Sequence, residues 1–280
     1  MAESAFQVQY QQEFIASFEQ RQSLTRQAVT TTAQIKGNQA TFLVAGSGGA
    51  TAVTRGLNGL IPGRADDLTQ VTATLVEWHD KVIKTGFNIF ASQGDQRQIM
   101  QQSTMAVINR KVDTDILAEL ANATQTTGAA QQGSLDLVIW AKTILGNNAV
   151  PTGNLFSFIT PAFHAYLMKT KEFTNVDYVN NKPFAEGSDD EYEAFKWAGV
   201  NFIVHPNLTG KGTNAEKCYL FHKSAIGHAM DTAGIKNTVD RNEEHDYSFA
   251  LCTAYMGAKL MQNSGVVVIN HDGSAFAAQA

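Results

Sequence analysis

The stretch between Val44 and Val71 constrains this chain more than any other. Thr41-Phe42-Leu43-Val44 reads as a strand, and Val71-Thr72-Ala73-Thr74-Leu75-Val76 as a second. The 26 residues between them hold six glycines (46, 48, 49, 56, 59 and 63) and Pro62. Loops longer than about 12–15 residues without structure of their own are uncommon in compact domains and usually functional. Two β stems leading to a Gly-rich tip predict a long hairpin that projects from the body. Val53, Leu57, Leu60 and Ile61 then have no local partner, because a lone hairpin cannot bury its own apolar residues. Another surface must cover them: an active site beneath a lid, or a neighbouring subunit.

The first forty residues pose the same problem. They contain nine glutamines, yet Phe6, Val8 and Tyr10 alternate as in a short strand, and Phe14 and Phe18 lie four apart as on one helix face. Disordered tails are poor in aromatics, so the spacing predicts an arm that docks on something else. From Asp95, a plausible N-cap, to about Thr124 the pattern is helical, with Met105, Ile108, Val112, Ile116, Leu120 and Ala123 at steps of three and four. About 28 residues give a rod of roughly 42 Å. Ser134 caps a second helix through Leu135, Val138, Ile139 and Leu145, ended by Gly146. The segment 150–245 changes character: it holds four of the five prolines, an acidic run (Glu186, Asp189, Asp190, Glu191, Glu193), strands at 156–160, 201–205 and 218–222, and helical pieces near 161–170 and 223–231. It reads as a second α/β lobe. After a helix or strand through Ala254–Met261, the β-branched run Val266-Val267-Val268-Ile269 is expected to return to the first lobe.

Chemistry is hard to find in this pattern. Phe42–Gly49 could open a dinucleotide site, with Asp66 20 residues beyond Gly46. The third glycine position, however, holds Thr51, and Gly56, Gly59, Pro62 and Gly63 break the helix that a pyrophosphate site needs. The same missing helix counts against a nucleophile elbow around Ser47. Gly210-Lys211-Gly212-Thr213 resembles the end of a P-loop, but His205 stands where the earlier glycine belongs. His222, His228 and Cys218 lack metal-ligand spacing, and the acidic run 186–193 lacks the glycine and terminal glutamate of a calcium loop. Two cysteines are too few for a disulfide framework. A net charge of −5 argues against a bulk-positive nucleic-acid binder. The N-terminus lacks a secretory pattern, and no apolar run is long enough to span a bilayer. No catalytic, cofactor or metal residues are assigned; the Gly46–Gly49 loop of a dinucleotide-dependent enzyme is the rival reading from another class.

The order of elements (aromatic Gln-rich arm, Gly-rich hairpin, long helix, Pro-containing α/β lobe, returning strand) resembles that of tailed-bacteriophage major capsid proteins of the Hong Kong 97 fold. The likeness rests on five local stretches. Gly48–Gly63 looks like the family's extended loop. Ile108-Asn-Arg-Lys-Val-Asp113-Thr-Asp-Ile116-Leu117 looks like the later part of its spine helix. Asn148–Tyr166 is similar to the strand–helix junction of its axial domain. Trp197-Ala-Gly199 and Cys218–Gly227 resemble the later part of that domain, and Tyr255-Met-Gly257-Ala258-Lys259 the turn before the final peripheral strand.

The resemblance implies an α+β fold with an N-terminal arm (1–40), an extended β-hairpin loop (41–76), a peripheral domain with the spine helix (77–133), an axial domain (134–245) and C-terminal peripheral strands (246–280). It implies no enzyme and no cofactor. The subunit would assemble into hexamers and pentamers of an icosahedral shell around double-stranded DNA, held without sequence-specific binding. Such a virion capsid is built in the host bacterial cytoplasm. A separate scaffolding protein and a portal are expected partners, a decoration protein a further one, and a membrane none. Some members cross-link through a lysine in the loop; no lysine lies between Lys36 and Lys81, so no such link is expected. An encapsulin-type shell is the rival within the fold. Contacts between subunits are expected at Phe6, Tyr10, Phe14 and Phe18 on the arm, and at Arg55, Arg64, Asp66 and Asp67, the loop's only charges.

Overall fold

The structure, a computed structural model, describes residues 20–47, 49–64, 67–91, 96–171, 194–231 and 234–276. Phe6, Tyr10, Phe14, Phe18, Asp66, the Asp95 cap and the acidic run 186–193 lie outside the described residues. Strand β1 (Gln34–Lys36) turns through Gly37, at a φ of 62°, into β2 (Gln39–Gly46), which pairs antiparallel with β3 (Asp67–Thr74). Along the chain follow β4 (Val76–Thr85), α1 (Gly86–Ala91), α2 (Gln96–Leu120), β5 (Gln131–Gln132) and α3 (Leu135–Asn147). Next come β6 (Leu155–Ile159), α4 (Pro161–Met168), β7 (Ala194–Trp197), β8 (Val200–Val204) and β9 (Glu216–His222). The last strands are β10 (Ile226–Met230), β11 (Lys236–Asn242), β12 (Tyr247–Leu260) and β13 (Val266–Asp272). The described residues fall into two compact units: those within Met1–Ser23, Val76–Thr114 and Met230–Met256 form one, and those within Leu24–Leu75, Asp115–Ala229 and Gly257–Ala280 the other.

In the first unit, β12 pairs antiparallel with β4 from Tyr247↔Thr85 to Met256↔Val76, and with β11 on its other edge. Its side chains alternate: Ser248, Ala250, Cys252, Ala254 and Met256 are buried, while Tyr247, Phe249, Leu251, Thr253 and Tyr255 stay partly open. Small residues on the inward face leave room for α2, whose Lys111 Nζ sits 3.8 Å from the Trp78 ring centroid. Burial raises the Asp80 carboxyl pKa above its usual range, and the Arg110 charge pulls it back in part. The chain entering this unit is tied to the same helix. Gln20 Nε2 and Ser23 Oγ both donate to the buried Asp113 carboxylate, and Asn109 Nδ2 donates to the Arg21 carbonyl at 2.8 Å. Along α2, burial follows Met100, Thr104, Ile108, Val112, Ile116 and Leu120 at steps of four, and Met105 faces outward.

In the second unit a six-stranded sheet runs β5-β13-β9-β6-β8-β7. Helices α3 and α4 start where their caps dictate. Ser134 Oγ accepts from Leu137 N, and Thr160 Oγ1 accepts from Phe163 N with Pro161 in the first turn, where its missing N–H costs nothing. Helix α3 runs one residue past Gly146, and the chain reverses at Ala149, with a φ of 55°.

Two expectations are corrected here. The final strand does not close the sheet of β4; Val266–Ile269 is buried on both faces and takes an interior slot between β9 and β5. An unbroken β-branched run suits a strand covered on both sides, whereas β12, alternating small and large, is the strand that returns to β4. Residues 223–231 are not helical either: a single 3₁₀ turn, Lys223–Ala225, leads into β10, buried throughout.

The hairpin stem is seated within the second unit. Ala40, Phe42 and Ala73 pack with Ala229, flanked by Ala33, Ile35, Leu75 and Met261. The Phe42 ring packs on Gly227, where an added Cβ would stand 2.6 Å from its nearest carbons. A buried polar hub fixes the far end of the sheet. Glu216 accepts from Thr160 Oγ1 at 2.6 Å and from the Gly212 amide at 2.6 Å, and its Oε2 lies 2.8 Å from His271 Nδ1. The amide of the P-loop-like turn therefore serves an internal carboxylate.

Candidate assembly surface

From the seated stem outward, the hairpin loses its cover. Every described residue from 49 to 64 is exposed, and Leu57 is more open than in an extended chain, at 108%. Val53, Leu60 and Ile61 are also exposed, as the sequence required of a hairpin with no local partner. The strip continues down the stem: Leu43 and Leu68, close neighbours on the outward face, remain exposed while Phe42 points inward. Large apolar side chains grouped this way mark an interaction surface.

What order the loop has is local. Ala50 N donates to Ser47 O, and Gly56 N and Leu60 O close a small turn at 3.0 Å. Arg64 Nη1 reaches across the base of the loop to Ser47 O at 3.1 Å. Arg55 is exposed, and Asp67 opens β3 opposite Gly46. The structure brings Arg64 and Asp67 to the loop base and leaves Arg55 out near the tip. Gly46 opens no helix: β2 passes into the loop and returns as β3, so the pyrophosphate cradle of a dinucleotide site is not formed there. Among the described residues no group of three or more His, Cys, Asp or Glu is placed to hold a metal ion. Among the described residues no helix is long and apolar enough to cross a membrane.

Other exposed apolar side chains had no signal in the sequence. Ile83 and Phe87 in the first unit are exposed; on the sheet that carries Ile83, Lys81 Nζ lies 4.7 Å from the Phe249 ring centroid. On α3, Ile139 and Trp140 face outward although both fit the helix's apolar pattern. That helix is apolar nearly all round, so periodicity could not tell which side is covered within the subunit. The Asp113 tether was legible only as part of a family-like stretch, because its partners lie about ninety residues away.

An uncovered apolar hairpin on a mixed α+β fold of this order has counterparts among solved structures. The solved structures it resembles include capsids of phages. The cyanophage Pam1 capsid superposes with a TM-score of 0.72 at 11% identity, over 98% of both chains. A Mycobacterium phage Che8 chain gives 0.71 at 15% identity, over 93% of this chain and 95% of that one. The cyanophage P-SCSP1u capsid gives 0.70 at 12% identity, over 95% and 93%. No curated protein matches in sequence. The phage capsid protein family matches residues 2–273, and the chain belongs to it. Its fold is the Hong Kong 97-like capsid fold, and it is a structural capsid protein.

Proposed function

We propose that this chain is the repeating subunit of an icosahedral shell of hexamers and pentamers, closed around double-stranded DNA that it does not read. The observation that carries this reading is the hairpin: seated at Phe42 and Gly227, and uncovered from residue 49 to 64. A contact that is heterologous and repeats about an axis closes into a ring. The extended loop and the arm, with Phe6, Tyr10, Phe14 and Phe18, supply that contact by lying on neighbouring copies. Arg55, Arg64, Asp66 and Asp67 set the loop's register by charge. Assembly uses a separate scaffolding protein and a portal, takes place in the bacterial host, and leaves the outer surface open to a decoration protein. The subunit carries out no catalysis.

Arg64→Glu tests the charge assignment. Its bond to Ser47 O is solvent-exposed, so reversal leaves the subunit's urea midpoint nearly unchanged. Shell yield by sedimentation should collapse. Normal shells from this variant would refute the role given to Arg64.

A further inference from the structure

Asn58-Gly59 is the only Asn-Gly pair in the chain, and the fold places it at the loop's small turn. Gly59 N–H donates to Gly56 O at 2.9 Å, and Gly56 N–H to Leu60 O at 3.0 Å. Gly59 has a φ of 72°, the left-handed glycine that completes a three-residue hairpin turn. Both residues are exposed, and the space around Gly59 Cα is open, with no atom within 4 Å of an added Cβ. Among the described residues no hydrogen bond restrains the Asn58 carboxamide.

We propose that Asn58 is a spontaneous modification site, at which the chain converts its own amide to an acid. Base removes the proton from the Gly59 backbone nitrogen, which attacks Asn58 Cγ. A new N–C bond forms, the carboxamide nitrogen leaves as ammonia, and a succinimide ring results. Water then opens the ring at one carbonyl or the other, leaving aspartate or isoaspartate. No oxidant, reductant or enzyme is required.

Glycine at position 59 makes the attack feasible, because no side chain shields its nitrogen. The bond to Gly56 O engages that nitrogen, so reaction follows opening of the turn. This bond and the one to Leu60 are all that close it, in a segment exposed along its whole length. The product adds one negative charge between Arg55 and Arg64, or a kinked isoaspartyl backbone in place of the turn. This chemistry stands independently of what the loop contacts.

The test follows the full-length, unassembled protein in near-neutral and mildly alkaline buffer. Peptide mapping by mass spectrometry separates amide, aspartate and isoaspartate at position 58. Asn58 should convert before any other asparagine, faster in the alkaline buffer, with isoaspartate among the products. Gly59→Ala should slow conversion severalfold or more, and Asn58→Gln should yield none over the same time. A synthetic peptide spanning the turn serves as the positive control. An amide still intact at position 58 when that peptide has fully converted would overturn the proposal. So would equal rates in the wild type and Gly59→Ala, since residue 59 would not then supply the nucleophile.

Discussion

Cys218 lies fully buried beside Thr160, its sulfur 3.9 Å from the Thr160 hydroxyl. Loss of solvent pushes its thiol up to about 12, the Thr160 contacts offsetting this in part and the nearby Glu216 adding to it. Unfolded, the same thiol titrates near its ordinary value of about 8.5. The neutral thiol therefore favours the folded chain: this contribution is fully present below the unfolded value and is lost as pH rises through the interval towards 12. Since the thiolate is the reactive form, iodoacetamide in mildly alkaline buffer should leave native Cys218 unmodified. It should label Cys218 quantitatively once urea unfolds the chain. Stoichiometric labelling of native Cys218 would contradict its burial. Cys252 is buried as well, and its thiol is likewise raised by desolvation.

At the scale of elements, the hairpin depends on one glycine that it does not contain. A Cβ at Gly227 would fall 2.6 Å from the Phe42 ring, so Gly227→Ala must displace either the stem or β10. Overpacking of this kind costs about 1–3 kcal/mol. The expected outcome is a lowered urea midpoint, with Phe42→Leu in the same background restoring part of the loss. An unchanged midpoint would mean the stem is not seated there. The stem itself was readable, because Thr41–Val44 and Val71–Val76 carry strand-forming residues and the glycines between them forbid a helix. The seat was not, because Gly227 lies 185 positions from Phe42 and no local pattern joins them. Residues 226–230 misled for a related reason: a strand buried on both faces has no alternation to distinguish it from a short apolar helix. Val266–Ile269 was recognisable as a strand, but partner choice depends on the slot that needs a doubly buried strand. The hub of Glu216, Thr160 and His271 was invisible in the sequence, since its members are more than fifty positions apart in each case.

Over the whole molecule, charge is scarce: 17% of residues are charged and 44% apolar. Part of that apolar complement faces outward at Leu43, Val53, Leu57, Leu60, Ile61, Leu68, Ile83, Phe87, Ile139 and Trp140. For a monomer this would be an aggregation hazard. Under the proposed shell role it is a surface matched to its own copies, since interface cores are depleted in Lys, Glu and Asp. The central claim is self-assembly, and electron microscopy of the purified, concentrated protein, alone and after co-expression with a scaffolding protein, tests it most directly. The account predicts closed particles or rings of subunits; a population of monomers or dimers that persists at every concentration in both preparations would contradict it.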